Sequence, residues 1–139
     1  MKILLVIFFL ALTTLASHFQ ITINRGHFKN GYSLAEAPTK MDTIYLLNHI
    51  SNGEVRKFTV LTEKTFQSMK TDFLHIVEAL KVVNQRKIAS CEESVTIKTQ
   101  GKEKWFCSSQ LPTGDSRELE AWLDKARFYT GLKKNKPHF

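Results

Sequence analysis

From Phe19 to Asn24 the chain alternates apolar Phe19, Ile21 and Ile23 with polar Gln20, Thr22 and Asn24, the period of a strand with one buried face. Arg25 to Asp42 breaks the pattern, because Gly26, Gly31 and Pro38, with Lys29 and Asn30, punctuate regular structure rather than extend it. An irregular connection is predicted there. Structureless loops beyond about 12 to 15 residues are uncommon in compact domains, so it is read as functional, mobile, or hiding a short helix near Ser33–Glu36. Thr43 to Thr62 holds Asn52-Gly53 between runs rich in Ile, Leu, Val, Phe and Thr, the signal of a hairpin closed by a type I′ turn. A two-residue loop sets Leu47 opposite Phe58, Tyr45 opposite Val60 and His49 opposite Arg56, with Ile44, Leu46, Ile50, Val55 and Leu61 on the second side. Both sides are partly apolar, which predicts helices over one and a loop or a partner over the other.

Thr62 followed by Glu63 suits a helix start. Phe66, Met69, Phe73, Ile76, Val77, Leu80 and Val83 then recur at steps of three and four, forming one apolar stripe, while Lys70, Glu78 and Lys81 mark a solvated side. Ser94 to Ser108 predicts a second hairpin turning at Gln100-Gly101, with Val95 facing Phe106 and Ile97 facing Lys104. Asp115 with Glu118 fits a capping box for a last helix whose Leu119, Trp122, Leu123, Ala126 and Tyr129 share a face, and Gly131 is a plausible stop. The order β-β-β-α-β-β-α predicts an α+β fold, an antiparallel sheet of about five strands with two helices packed on one face.

Met1-Lys2 precedes an apolar run from Ile3 to Leu12 and then small residues, the layout of a secretory signal peptide. Thr14 with Ala16 predicts cleavage before Ser17, and cleavage after Ser17 is the alternative. The run is shorter than the roughly 20 residues a spanning helix needs. The expected organisation is a signal peptide at 1–16, a single domain at 17–132 and a basic tail at 133–139, in a protein that is secreted or periplasmic and not membrane-spanning. The 20 Lys plus Arg against 13 Asp plus Glu give +7 overall and +6 without Lys2. Cys91 and Cys107, the only cysteines, are expected to pair in an oxidising compartment. The chain before Ser94 must then bend to bring the sulfurs together.

No glycine-flanked serine elbow, phosphate-cradling loop or dinucleotide fingerprint occurs, no cofactor is implied, and the five histidines lack metal-ligand spacing. His75 lies three residues from Asp72, a helix pair, and Glu92-Glu93 reads as solvated. What stands out is charge: Lys125, Arg127, Lys133, Lys134 and Lys136 follow Asp124 with no further acidic residue. Trp105 is the second feature. It points away from Val95 and Phe106 toward Thr96, Lys98 and Glu103, either as an exposed contact residue or covered by His27, Phe28 and Tyr32. The leading expectation is a non-enzymatic binding protein of inhibitor or effector type. It would meet an anionic partner (a glycan, a lipid headgroup or an acidic protein surface) through a disulfide-tied hairpin and basic tail, using Trp105, Lys98, Lys104, Lys125, Arg127, Lys133, Lys134 and Lys136. Two alternatives are a small hydrolase with a site formed by the 25–42 loop and His49, and a structural subunit that oligomerises through the second face of its sheet.

Overall fold

The computed structural model describes residues 19–80 and 90–132. The leader, Lys81, Val83 and the tail lysines Lys133, Lys134 and Lys136 lie outside them. Alternation carries β1 (Phe19–Arg25), β2 (Phe28–Pro38), β3 (Thr43–Ser51) and β4 (Glu54–Leu61) before helix α1 (Glu63–Leu80). The hairpin β5 (Glu93–Thr99) and β6 (Lys102–Cys107) follows, then a 3-10 turn (Ser108–Gln110) and α2 (Thr113–Thr130). The strands form one antiparallel sheet in the order β4-β3-β2-β1-β5-β6. The class is the expected α+β, with six strands rather than five.

The additional strand is β2, which occupies most of the segment expected to be irregular; no helix forms at Ser33–Glu36. Gly26 (φ +59°) turns the chain into it, so that Arg25 pairs with Phe28 and Phe19 with Leu34. Gly31 does not interrupt the strand; it lets β2 approach β1 closely. A Cβ there would lie 3.0 Å from the Thr22 Cα and inside contact distance of the Ile21 carbonyl oxygen. Pro38 ends the strand, paired with Thr43 of β3.

The β3-β4 turn is as expected, with Asn52 and Gly53 both at positive φ. Its register is not. A bulge between His49 and Ile50 leaves Arg56 without a counterpart, so His49 faces Lys57, Asn48 faces Phe58, Leu47 faces Thr59, Leu46 faces Val60 and Tyr45 faces Leu61. Each side chain beyond the bulge therefore exchanges sides relative to the expectation: Leu61 joins the core, and Val60 is 53% exposed. The second hairpin has the expected register, Val95 opposite Phe106 and Ile97 opposite Lys104.

One face of the sheet supplies Ile21, Leu34, Leu47, Val95 and Phe106 to the main core. The predicted stripe of α1 meets it with Phe66, Met69, Phe73, Ile76 and Leu80, Val77 being partly buried. The start of α1 is fixed as expected by the Thr62 hydroxyl, which accepts from the Thr65 amide. From α2 come Leu119, Trp122, Leu123 and Ala126, and the Trp122 indole donates to the Met69 carbonyl at 3.0 Å, tying the helices together. Two expectations for α2 need correcting. It starts at Thr113 after Pro112, with Asp115 in its first turn and no side-chain cap, so the Asp115–Glu118 capping box does not form. Tyr129 is 38% exposed, and Arg127 and Thr130 are buried in its place. Gly131, at φ +69°, ends the helix.

The opposite face carries a smaller apolar cluster, Ala35, Ala37 and Leu46 with Ile44 and Phe58 packed against it. Beside it, the buried Asn48 amide donates to the Ser33 hydroxyl at 3.2 Å. Cys91 and Cys107 form the expected disulfide, with Cα atoms 5.8 Å apart. It closes the base of the β5-β6 hairpin just before the turn that leads to α2.

Two stability outcomes follow. Gly31→Ala should cost about 1–3 kcal/mol in urea unfolding, because the added methyl forces β1 and β2 apart; an unchanged midpoint would show that the two strands accommodate the methyl without cost. Replacing both cysteines with serine should cost on the order of 3 kcal/mol for a loop of this length, and a variant as stable as the parent would remove the bridge from the account of the hairpin.

Candidate binding face of the sheet

Because side chains alternate across a strand, the polar residues of β1 (Gln20, Thr22 and Asn24) point away from both helices. Their cross-strand partners on β5 are Lys98, Thr96 and Ser94, and on β2 they are Ser33, Gly31 and Lys29. The result is a polar hollow of about 180 Å³ lined by Gln20, Thr22, Asn24, Lys29, Thr96 and Lys98, among others. Its polar groups are held in place. The Asn24 amide donates to the hydroxyls of Ser94 and Thr96 at 3.3 and 3.2 Å, and the Gln20 amide donates to the Thr22 hydroxyl at 3.3 Å.

Trp105 stands beside this hollow, directly opposite Thr96 on the same face. It is 43% exposed. Of the residues considered as its cover, Tyr32 is buried in the main core on the other face and Phe28 is 69% exposed at the β1-β2 turn. Glu103 faces Lys98 across the hairpin, and Lys29 stands on the far rim.

The remaining basic residues do not gather here. Lys104 points to the helix side, where its ammonium donates to the Leu80 carbonyl at 3.3 Å and lies 5.4 Å from the centre of the Phe106 ring. Lys125 pairs with Asp72 at 3.1 Å. Arg127 is buried, its guanidinium donating to Asp124 at 2.6 Å and Glu120 at 3.1 Å. His75 lies 3.9 Å from Glu118 rather than pairing with Asp72. Glu93, expected to be solvated, is only 7% exposed; it meets Arg25 at 3.3 Å and accepts from the Ser108 hydroxyl at 3.2 Å.

The hairpin and the end of α2 also lie far apart. The 18-residue α2 is about 27 Å long, close to the roughly 24 Å width of a sheet of this many strands. It leaves the β6 side after the 3-10 turn, and its last carbonyls, those of Tyr129 and Thr130, accept from Thr59 and Lys57 of β4. Trp105 and the C-terminal end of α2 are therefore at opposite edges of the sheet.

The alternative site around His49 changes character, because the 25–42 segment is largely strand rather than loop. His49 packs against the Tyr32 ring with centroids 5.3 Å apart and faces Lys57 across the β3-β4 pair. Burial holds its pKa below the ordinary 6.5, and the Lys57 charge adds to the effect. Burial likewise raises Tyr32, partly offset by the Arg127 charge and a hydrogen bond with Thr130. Among the described residues, no group of three or more His, Cys, Asp and Glu side chains is placed to hold a metal. No described helix is long and apolar enough to cross a membrane.

Sequence reasoning passed over Gln20, Thr22, Asn24 and Lys29 as candidates. The signal was present in the alternation of β1, whose outward side is uniformly polar. No family model matches the chain, and neither does any curated protein or any solved structure.

The environment of His49 fixes a pH dependence. With its folded pKa below 6.5, the unfolded chain takes up the proton first as pH falls. The contribution of His49 to stability is therefore complete above 6.5 and is lost as pH falls through that value toward the lowered one. Proton NMR should give His49 a midpoint below 6.5, and His49→Gln should flatten the stability curve across that window. An equal slope in the variant would show that another group controls it.

Proposed function

We propose that the chain is an exported, non-enzymatic binding protein of inhibitor or effector type whose recognition face is the polar side of the sheet beside Trp105, and that its partner is an acidic saccharide. The observation that carries this reading is the half-exposed indole next to a hollow of pre-oriented amides and hydroxyls. An aromatic face stacks on the apolar side of a sugar ring, while amides and hydroxyls exchange hydrogen bonds with its hydroxyls. Lys98 and Lys29 supply charge for a carboxylate or sulfate substituent.

Export is supported by the leader-like start of the sequence and by the disulfide, since such bonds persist in oxidising compartments. The bridge stiffens the base of the hairpin that presents Trp105, and a rigid platform loses little freedom on binding. Lys125 and Arg127 of α2 have no part in this face, Arg127 being enclosed and Lys125 paired.

Calorimetric titration with sulfated and uronic-acid oligosaccharides tests the reading. Trp105→Ala and Lys98→Glu should each weaken binding by about tenfold or more, whereas Lys125→Ala should leave it unchanged. Binding that ignores Trp105, or the absence of binding to any acidic saccharide in the series, would overturn it.

A further inference from the structure

The helix side of the sheet is not covered evenly. α2 leaves the base of the β5-β6 hairpin and runs to β4, where its last carbonyls are held. Among the described residues, it is the last turn of α1 that lies over the turn end of the hairpin. Between the two is a hollow of about 430 Å³, within the range that takes a small organic molecule. It lies on the side of the sheet opposite the saccharide-binding face. Its walls are apolar: Leu80, Ile97 and Phe106 are buried beneath it, and Val77 and Thr99 border it half-buried. Charge in the lining comes from β6 alone. Side chains alternate along that strand, so Lys102 and Lys104 share the helix side with Phe106, while Glu103 between them belongs with Lys98 on the other face. The Lys104 ammonium is tethered, donating to the Leu80 carbonyl at 3.3 Å and lying 5.4 Å from the centre of the Phe106 ring. An ammonium carries three donors, so this tether leaves capacity for an anion.

We propose that this hollow binds a single-chain fatty acid, with the alkyl chain over Leu80, Ile97 and Phe106 and the carboxylate at Lys104 and Lys102. The occupant follows from how the two chemistries are separated. Thr99 is the one uncharged polar side chain in the lining, which offers a sugar almost nothing to bond. Two cations on the β6 side select an anion over a neutral hydrocarbon, and a carboxylate meets them with charge-assisted hydrogen bonds. A dissolved acid fits better than a bilayer, because a membrane is met by an apolar face laid into it, whereas these apolar groups are recessed between a helix and a hairpin. Nothing in the hollow depends on Trp105, so this site stands independently of the saccharide reading.

Titration of the protein with hexanoate, octanoate and decanoate below their micelle concentrations, followed by calorimetry and methyl NMR, provides the test. The methyl signals of Val77, Leu80 and Ile97 should shift, and each added methylene should tighten binding by up to about fourfold until the hollow is full. Lys104→Met keeps an apolar stem and removes the charge; it should weaken decanoate by roughly tenfold and leave decanol unchanged. Val77→Trp narrows the hollow and should weaken both by roughly tenfold or more, with unfolding midpoints showing that each variant remains folded. Trp105→Ala should bind decanoate as the parent does, which separates this site from the other face. The proposal is overturned if decanoate leaves the Val77 and Ile97 methyls unmoved, if affinity ignores chain length, if decanol binds as tightly as decanoate, or if binding requires Trp105.

Discussion

The single extra residue in β4 sets the arrangement of one whole side of the molecule. With Arg56 bulged out, Lys57, Thr59 and Leu61 turn toward the helices. Leu61 then closes the main core, while Thr59 and Lys57 reach the last carbonyls of α2. Those carbonyls lack partners within the helix, and they carry the negative end of its dipole. An ammonium and a hydroxyl from a neighbouring strand meet both needs. The bulge thus anchors the end of a helix that begins beyond the disulfide on the far side of the sheet.

The face turned away from the helices divides along its width. Over β2, β3 and β4 it is apolar, built on Ala35, Ala37, Leu46 and Phe58. Over β1, β5 and β6 it is polar, with one indole at the margin. The division traces to composition on alternate positions: β1 puts three polar side chains outward, and β3 puts Ile44 and Leu46 there. The helix-covered face shows no such contrast and is apolar across the sheet, with polar groups collected near the end of α2 around Tyr32, His49 and Arg127.

Much of this was legible from residue order. The alternation of β1, the stripe of α1, the two turns at Asn52-Gly53 and Gln100-Gly101, the pairing of Cys91 with Cys107 and the stop at Gly131 each have a local physical cause, and each stands in the structure. The failures had non-local causes. Segment 28–38 lacks clean alternation because Gly31 is needed for contact with β1 and because Tyr32 and Leu34 serve the main core while Ala35 and Ala37 serve the apolar cluster on the opposite face. The bulge depends on what Leu61 and Thr59 meet across the core, which a hairpin rule cannot know. Glu93 read as solvated and Arg127 as a contact residue for an anionic partner, yet Glu93 meets Arg25 and Arg127 is buried against Asp124 and Glu120. For the candidate face, Trp105 and Lys98 were legible from the hairpin register. The amide and hydroxyl floor was not, since it needed β1 to lie beside β5, a neighbour distant in sequence.

The buried amide of Asn48 constrains how β2 and β3 can align. Its nitrogen is satisfied by Ser33, directly across the β2-β3 ladder, while its oxygen finds no partner among the described residues. If β2 slid by two positions, Asn48 would face Gly31 or Ala35, neither of which has a side chain able to bond it, and the amide would be stranded at a cost of about 1–3 kcal/mol. A polar rung in an otherwise greasy stretch thus works as a key against misalignment. It serves the strand whose own residues declare its position least.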